Sequence, residues 1–220
     1  MSDFRFGVIA DNWHILVSGL GVTLKVTCIS LLCGMIIGII LGMMRLSDNR
    51  ILAALAIGYV AVLRNTPALI QLIWVYYCLP LLIGVDLEAT TSCVVALSLH
   101  AGAYIGEIVR GGIQSIEQGQ VEAARTIGLS KLQTMHKIIL PQALRRMIPP
   151  LVNEGISLLK YSSLVSVLGV ADLTYQAQVL STTTFRPLEV FTFLGIEYFV
   201  LCTLASYGAH LLELRLARRS

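Results

Sequence analysis

The sequence predicts an all-α membrane protein with about five transmembrane helices and one extended helical loop on the cytoplasmic side. Three observations lead there. Of the 220 residues, 56% are hydrophobic and only 13% charged, with a mean hydropathy of +0.78, a composition far too apolar for a water-facing surface. Apolar runs at Leu20–Met44, Tyr59–Gly84, Ala89–Gly111, Pro150–Val170 and Glu189–Leu212 each reach the roughly 20 residues of helix that cross a hydrocarbon core of about 30 Å. Lysine and arginine gather in alternate connections.

The stretch before the first run carries Asp3, Arg5 and Asp11, without a basic n-region or a cleavage site, so the run reads as a retained helix and not as a secretion signal. Arg45–Arg50, with Asp48 and Asn49, separates it from the second run. Ile51–Ala61 is apolar but too short to span alone, and either lies at the interface or extends the second span. Gly112–Pro149 is the long polar segment between the third and fourth runs.

Of the 16 basic residues, Arg45, Arg50, Arg64, Arg110, Arg125, Lys131, Lys137, Arg145, Arg146, Arg215, Arg218 and Arg219 fall on one side or in the C-terminus, against Arg5 and Arg186 on the other. The N-terminus is therefore expected outside and the C-terminus in the cytoplasm. An odd number of spans follows. Because these charges are strung between apolar blocks and form no polar face, a nucleic-acid partner is not expected. Cys28, Cys33, Cys78, Cys93 and Cys202 lie in or beside apolar runs, with no CxxC pair and no histidine at ligand spacing, and read as buried small hydrophobes. No metal site, nucleotide-binding glycine loop or nucleophile–base constellation is recognisable.

Within the polar segment, Val121–Ile127 reads as a short helix whose first turn holds Glu122, near the positive end of the helix dipole. Gly128 supplies a left-handed stop. Ser130 and Gln133 have capping-box spacing for a second helix, with Leu132, Met135 and Ile139 along one face and Pro141 ending or kinking it. Small Ala123 and Ala124 would allow another surface to approach. On these grounds the loop is either a docking element or a hairpin packed beneath its own bundle.

Glu122-Ala123-Ala124, three residues, Gly128, nine residues, Ile138, one residue, Leu140-Pro141 matches the loop motif of binding-protein-dependent ABC permeases. The resemblance covers almost the whole chain and is closest to the polar amino-acid branch. Gly21-x-Thr23-Leu24, Arg64-Asn65-Thr66-Pro67, Gly102-Ala103-Tyr104 with Glu107 and Arg110, Gly119-Gln120, Pro141-Gln142-Ala143, Pro149-Pro150 and Ser157-Leu158-Leu159-Lys160 are similar to it. It implies a type I ABC importer permease fold, one permease domain over 1–220 with a coupling loop at about 115–148, and a multi-pass protein of the bacterial inner membrane.

The resemblance further implies that Glu122, Ala123, Ala124, Gly128, Ile138, Leu140 and Pro141 couple the chain to a dimer of separate ABC ATPase subunits. ATP and Mg would be bound there, with no cofactor and no catalysis in this chain. A second permease subunit, identical or paralogous, and an extracytoplasmic amino-acid-binding protein would complete the importer, embedded in lipid. Two positions depart from the branch: Tyr161 stands where aspartate is usual in Lys160-Tyr161-Ser162-Ser163-Leu164, and Asn65 replaces a glycine.

Ionisable groups within spans are costly, so each needs a role or a partner. Glu107 and Arg110, at i and i+3, are expected to pair. Glu154 and Lys160 are about 600° apart round a helix and cannot face each other. Glu154 and Glu197, with Gln71 and Asn153, are candidates for the substrate path, where the carboxylates would meet an amino acid's ammonium; the alternative is satisfied polar contacts between helices. Lys25 is expected to snorkel outward, His100 to make a hydrogen-bonded helix contact, and Tyr76 with Tyr77 to form an interfacial aromatic pair. An ion-coupled transporter or channel acting alone is the competing function, though five spans do not divide into two inverted halves. A membrane enzyme or scaffold is a third.

Overall fold

The computed structural model describes residues 7–217; Arg5, Arg218 and Arg219, three of the residues that set the expected orientation, lie outside them. The order is α1 (Gly7–Asp11), α2 (Trp13–Arg45), α3 (Arg50–Arg64), α4 (Ala68–Tyr77), α5 (Leu79–Ile83), α6 (Ala89–Gln114), α7 (Gln118–Thr126), α8 (Lys131–Thr134), a π turn (Met135–Ile139), α9 (Leu140–Tyr161), a 3-10 segment (Ser162–Leu168), α10 (Leu173–Thr184) and α11 (Pro187–Ala217). Among the described residues three helices are long and apolar enough to cross a membrane, and counting each of two bent pairs as one span gives up to five.

α2 and α6 form the central pair because their backbones approach closely. Gly34, Gly38 and Gly42 recur every four residues on one face of α2, and a Cβ at Gly38 would stand 2.5 Å from the Cβ of Ile105. Gly102 on α6 answers with the same tightness against Ile37. Close contact of this kind replaces the hydrophobic drive that helices lack in lipid. Any side chain at Gly38 would push the pair apart.

The second span is broken where continuity was expected. Asn49 caps α3, its Oδ1 accepting from the amides of Ile51 at 2.9 Å and Leu52 at 3.4 Å, so Ile51–Ala61 belongs to a helix of its own. Pro67 then prevents continuation, since it has no N–H and disfavours helical geometry in the residue before it, and α4–α5 leaves at 105° to α3. The Gln71 amide donates to the freed carbonyls of Leu63 at 2.7 Å and Thr66 at 2.8 Å, which satisfies the exposed backbone at the break.

The fourth span begins ten residues earlier than the expected Pro150, at Leu140, and keeps Pro149 and Pro150 inside α9. Pro141 does not end the helix. It sits in the first turn of α9, and because it has no N–H, the turn before it widens so that the Leu140 amide reaches back to the Met135 carbonyl. α10 was not expected: it is rich in threonine and glutamine and gives no strong apolar period. Its start is fixed from outside, with Asp172 accepting from the Tyr175 amide at 2.9 Å and Thr23 of α2 accepting from the Leu173 amide at 3.1 Å.

The expectation that all five cysteines are buried fails for Cys28 and Cys33, which lie on the outer face of α2; Cys93 is buried, Cys78 and Cys202 are half-buried, and all five are free thiols. An apolar run does not tell which of its faces meets the protein. Tyr76 and Tyr77 do pair edge-to-face at 4.7 Å, and Lys25 is exposed.

Candidate functional site

The polar loop is built as two short helices bound to their own bundle on one side and bare on the other. α7 starts at Gln118, three residues before the expected Val121, so Glu122 lies in its second turn and not at the positive end of the dipole. Gly128 has φ +82°, and the turn closes through Gly128 N–H to Arg125 at 3.0 Å and Leu129 N–H to Ala124 at 3.1 Å. The capping box is present in full: Ser130 Oγ accepts from the Gln133 amide at 3.3 Å, and Gln133 Oε1 from the Ser130 amide at 2.9 Å.

The hairpin is anchored. Gln142 donates to Gln120 at 2.6 Å and to the Ile138 carbonyl at 2.9 Å, Arg146 donates to the Ser115 carbonyl, and Ile116 is buried. Ala124 also faces inward at 3% exposure, so of the two alanines only Ala123 is open to another surface. Ile138 and Leu140 are half-buried in the transition to α9, and Pro141 is exposed. Ile127, expected only as the end of the first helix, and Leu132, expected on one face with Met135 and Ile139, were not assigned to the docking surface, yet they stand 75% and 68% exposed while Met135 and Ile139 are half-buried. Two bare aliphatic side chains beside a polar rim on a fixed hairpin suit contact with another protein. α8, the π turn and α9 run on without a loop, so the ledge is continuous with the span that carries Glu154.

A second cluster lies among the spans. His100 Nδ1 is 3.1 Å from Gln71 Oε1, and its ring lies tilted against Tyr104 at 4.9 Å and edge-on to Tyr161 at 5.0 Å. The guanidinium of Arg64 lies 5.2 Å over the Tyr104 ring. Glu154 is 8% exposed with an Oε1 that has no hydrogen-bond partner, and, seven residues before Tyr161 on α9, it lies on the same face of that helix. Gln71 and Glu154 therefore belong to one neighbourhood. Asn153 is exposed, and Glu197 on α11 is half-buried with its Oε2 unpartnered; no ion pair or hydrogen bond among the described residues joins Glu197 to Glu154. Lys160 is exposed, on another face of α9 from Glu154.

The expected Glu107–Arg110 pair is part of a larger junction. Glu107 meets Arg110 Nη2 at 2.8 Å, Arg45 at the end of α2, and Arg64 Nη1 at 3.9 Å. Arg45 and Arg64 arrive from other helices, so sequence spacing gave no sign of them. No cluster of three His, Cys, Asp or Glu suited to a metal occurs among the described residues.

Residues 34–218 match the family described as the binding-protein-dependent transport system inner membrane component. The chain is 36% identical over 201 residues to a putative glutamine transport system permease protein of Rickettsia bellii (strain RML369-C), covering 91% of this chain and 92% of that one. It is 37% identical over 201 residues to the arginine transport system permease protein of Bacillus subtilis (strain 168), with 91% and 92% covered, and 36% identical over 214 residues to the glutamine transport system permease protein of Escherichia coli (strain K12), with 97% and 98% covered. A crystallised amino acid ABC transporter with histidines has a chain that superposes with a TM-score of 0.92 at 36% identity, covering 96% of this chain and 98% of that chain. An inward-facing MetNI methionine ABC transporter shares the fold at a TM-score of 0.80 and 22% identity, covering 98% and 99%. The all-helical architecture is thus that of type I ABC importer permeases, and the chain belongs to the binding-protein-dependent permease family, as a multi-pass membrane subunit of the polar amino-acid branch.

Proposed function

We propose that the chain carries a polar L-amino acid into the cytoplasm as one half of a permease pair, driven by an ABC ATPase dimer seated on the Glu122–Pro141 loop. An extracytoplasmic binding protein delivers the amino acid. The N-terminus faces outward and the C-terminus the cytoplasm. The observation that carries the reading is the bare ledge of Glu122, Ala123, Ile127, Gly128 and Leu132, held on an anchored hairpin that continues into α9. ATP-driven closure of the ATPase pair moves the ledge, and α9 with its neighbours rocks as a near-rigid body.

Glu154 is the group best placed to meet the amino acid's ammonium, since it is a buried carboxylate whose Oε1 has no partner, beside an aromatic and amide-lined cluster. The relatives named for glutamine and arginine transport support an amino-acid cargo. Proteoliposomes holding this chain with its ATPase and binding protein should take up labelled L-glutamine or L-arginine only when ATP is supplied on the ATPase side. Uptake by the chain alone, driven by a sodium or proton gradient, would replace this reading with an ion-coupled transporter.

A further inference from the structure

Three guanidinium groups converge on the single carboxylate of Glu107, which leaves this junction short of negative charge, and they do not hold it equally. Arg110 spends Nη2 and Nε on one oxygen of Glu107, at 2.8 and 3.2 Å, and Nη1 on Gln114. Arg45 takes the other oxygen. Arg64 Nη1 stands 3.9 Å away, beyond hydrogen-bond reach, and its guanidinium donates to no other described residue. Arg64 ends the first limb of a bent pair that counts as one span, where a cation is costly unless it is paired.

The unspent guanidinium is nonetheless held in place. It lies 5.2 Å over the Tyr104 ring, and its side chain is 44% exposed, so it remains open to approach. Tyr104 in turn meets the His100 ring at 4.9 Å, and His100 meets Gln71 and Tyr161. His100, Tyr104 and Glu107, spaced i, i+4 and i+7, share one face of α6. Arg64 therefore sets a fork of unused donors at the edge of the polar cluster among the spans.

We infer that Arg64 holds the α-carboxylate of the transported amino acid, so that the chain selects free amino acids over their amides whatever the side chain. This rests on the reading that an amino acid passes this cluster. A guanidinium fork matches the two oxygens of a carboxylate, and a guanidinium already resting on a ring has less freedom to lose on binding. The cargo's negative charge offsets the repulsion among Arg45, Arg64 and Arg110 that Glu107 alone opposes.

The test is equilibrium binding of labelled L-arginine and L-glutamine to the intact permease–ATPase complex in nanodiscs, without the binding protein. L-argininamide and L-glutamine α-amide serve as unlabelled competitors. The wild type should prefer each acid to its amide on the order of 10- to 100-fold. In Arg64→Gln affinity for the acid should fall to that for the amide, which stays as it was; a merely structural role would weaken both alike. Lys160→Gln, which removes the exposed cation of α9, should keep the wild-type preference. Preference retained in Arg64→Gln, equal weakening of acid and amide, or loss of preference in Lys160→Gln would overturn the assignment. Should Arg64→Gln fail to assemble, Tyr104→Leu decides, since it removes the ring beneath the guanidinium and leaves the charge: the preference should drop severalfold, and an undiminished one contradicts the proposal. A wild type that transports but shows no preference for acid over amide fails this inference alone. A wild type that carries neither amino acid with binding protein and ATP fails the cargo reading, and this inference with it.

Discussion

A Gly128→Asp chain is expected to insert and fold but to lose most ATP-driven uptake, by at least roughly tenfold if the coupling lost is of ordinary size. At φ +82° an L side chain meets its own backbone, a cost of about 1–2 kcal/mol, although no other atom lies within 4 Å of the position. The damage is therefore conformational and local. It changes the angle between α7 and α8, on which the spacing of Ile127 and Leu132 depends. Glu122→Lys tests the same surface by charge. Its carboxylate is exposed and takes part in no ion pair among the described residues, so reversal should leave stability within about 0.5 kcal/mol and act on docking. ATP hydrolysis and uptake measured together in proteoliposomes report both. Wild-type coupling in the two variants would mean that the ledge is not a docking surface.

The second large effect is expected at Glu154. Glu154→Gln keeps the shape and removes the charge; losing a charged hydrogen-bond partner for an ammonium costs about 1.5–3 kcal/mol, on the order of 10- to 100-fold in apparent affinity. Because the buried carboxylate has an unsatisfied oxygen, the amide should fold at least as well, and weakened uptake cannot then be blamed on lost protein. Glu197→Gln is expected to do less. Its carboxylate is half-buried on α11 and has no described link to the cluster around Tyr161. Uptake of labelled amino acid against concentration separates them, and unchanged kinetics in Glu154→Gln would remove it from the path.

What the sequence reveals here depends on how local the cause is. The bounds of α6 match the apolar run from Ala89 to within three residues, and the Ser130–Gln133 cap and the Gly128 turn form as their residue types require, since each is decided within one helical turn. The break between α3 and α4 was hidden because both sides are apolar; its marker, Pro67, reads as an opening of the span as readily as an interruption. α10 is set by contacts with Thr23 and the backbone of α2, from 150 residues away in sequence. Glu122 was misplaced because α7 starts three residues early, which moves it into the second turn, and Ala124 because adjacent residues point about 100° apart round a helix, so that Ala123 and Ala124 do not share an open face. At the candidate site, Glu154 and Gln71 stood out as polar residues in apolar runs, but the convergence of Arg45 and Arg64 on Glu107 is a product of tertiary packing. Family resemblance supplied the partner that no local rule could.

A separate ATPase seated on this loop should be within covalent reach of the ledge. A photo-crosslinking side chain placed at Ile127 in cells carrying the whole importer tests this, with Leu81, exposed on α5, as the control position. A covalent adduct with the ATPase subunit is expected from Ile127 and none from Leu81. An assembled, transporting complex that gives no ATPase adduct from Ile127 would contradict it.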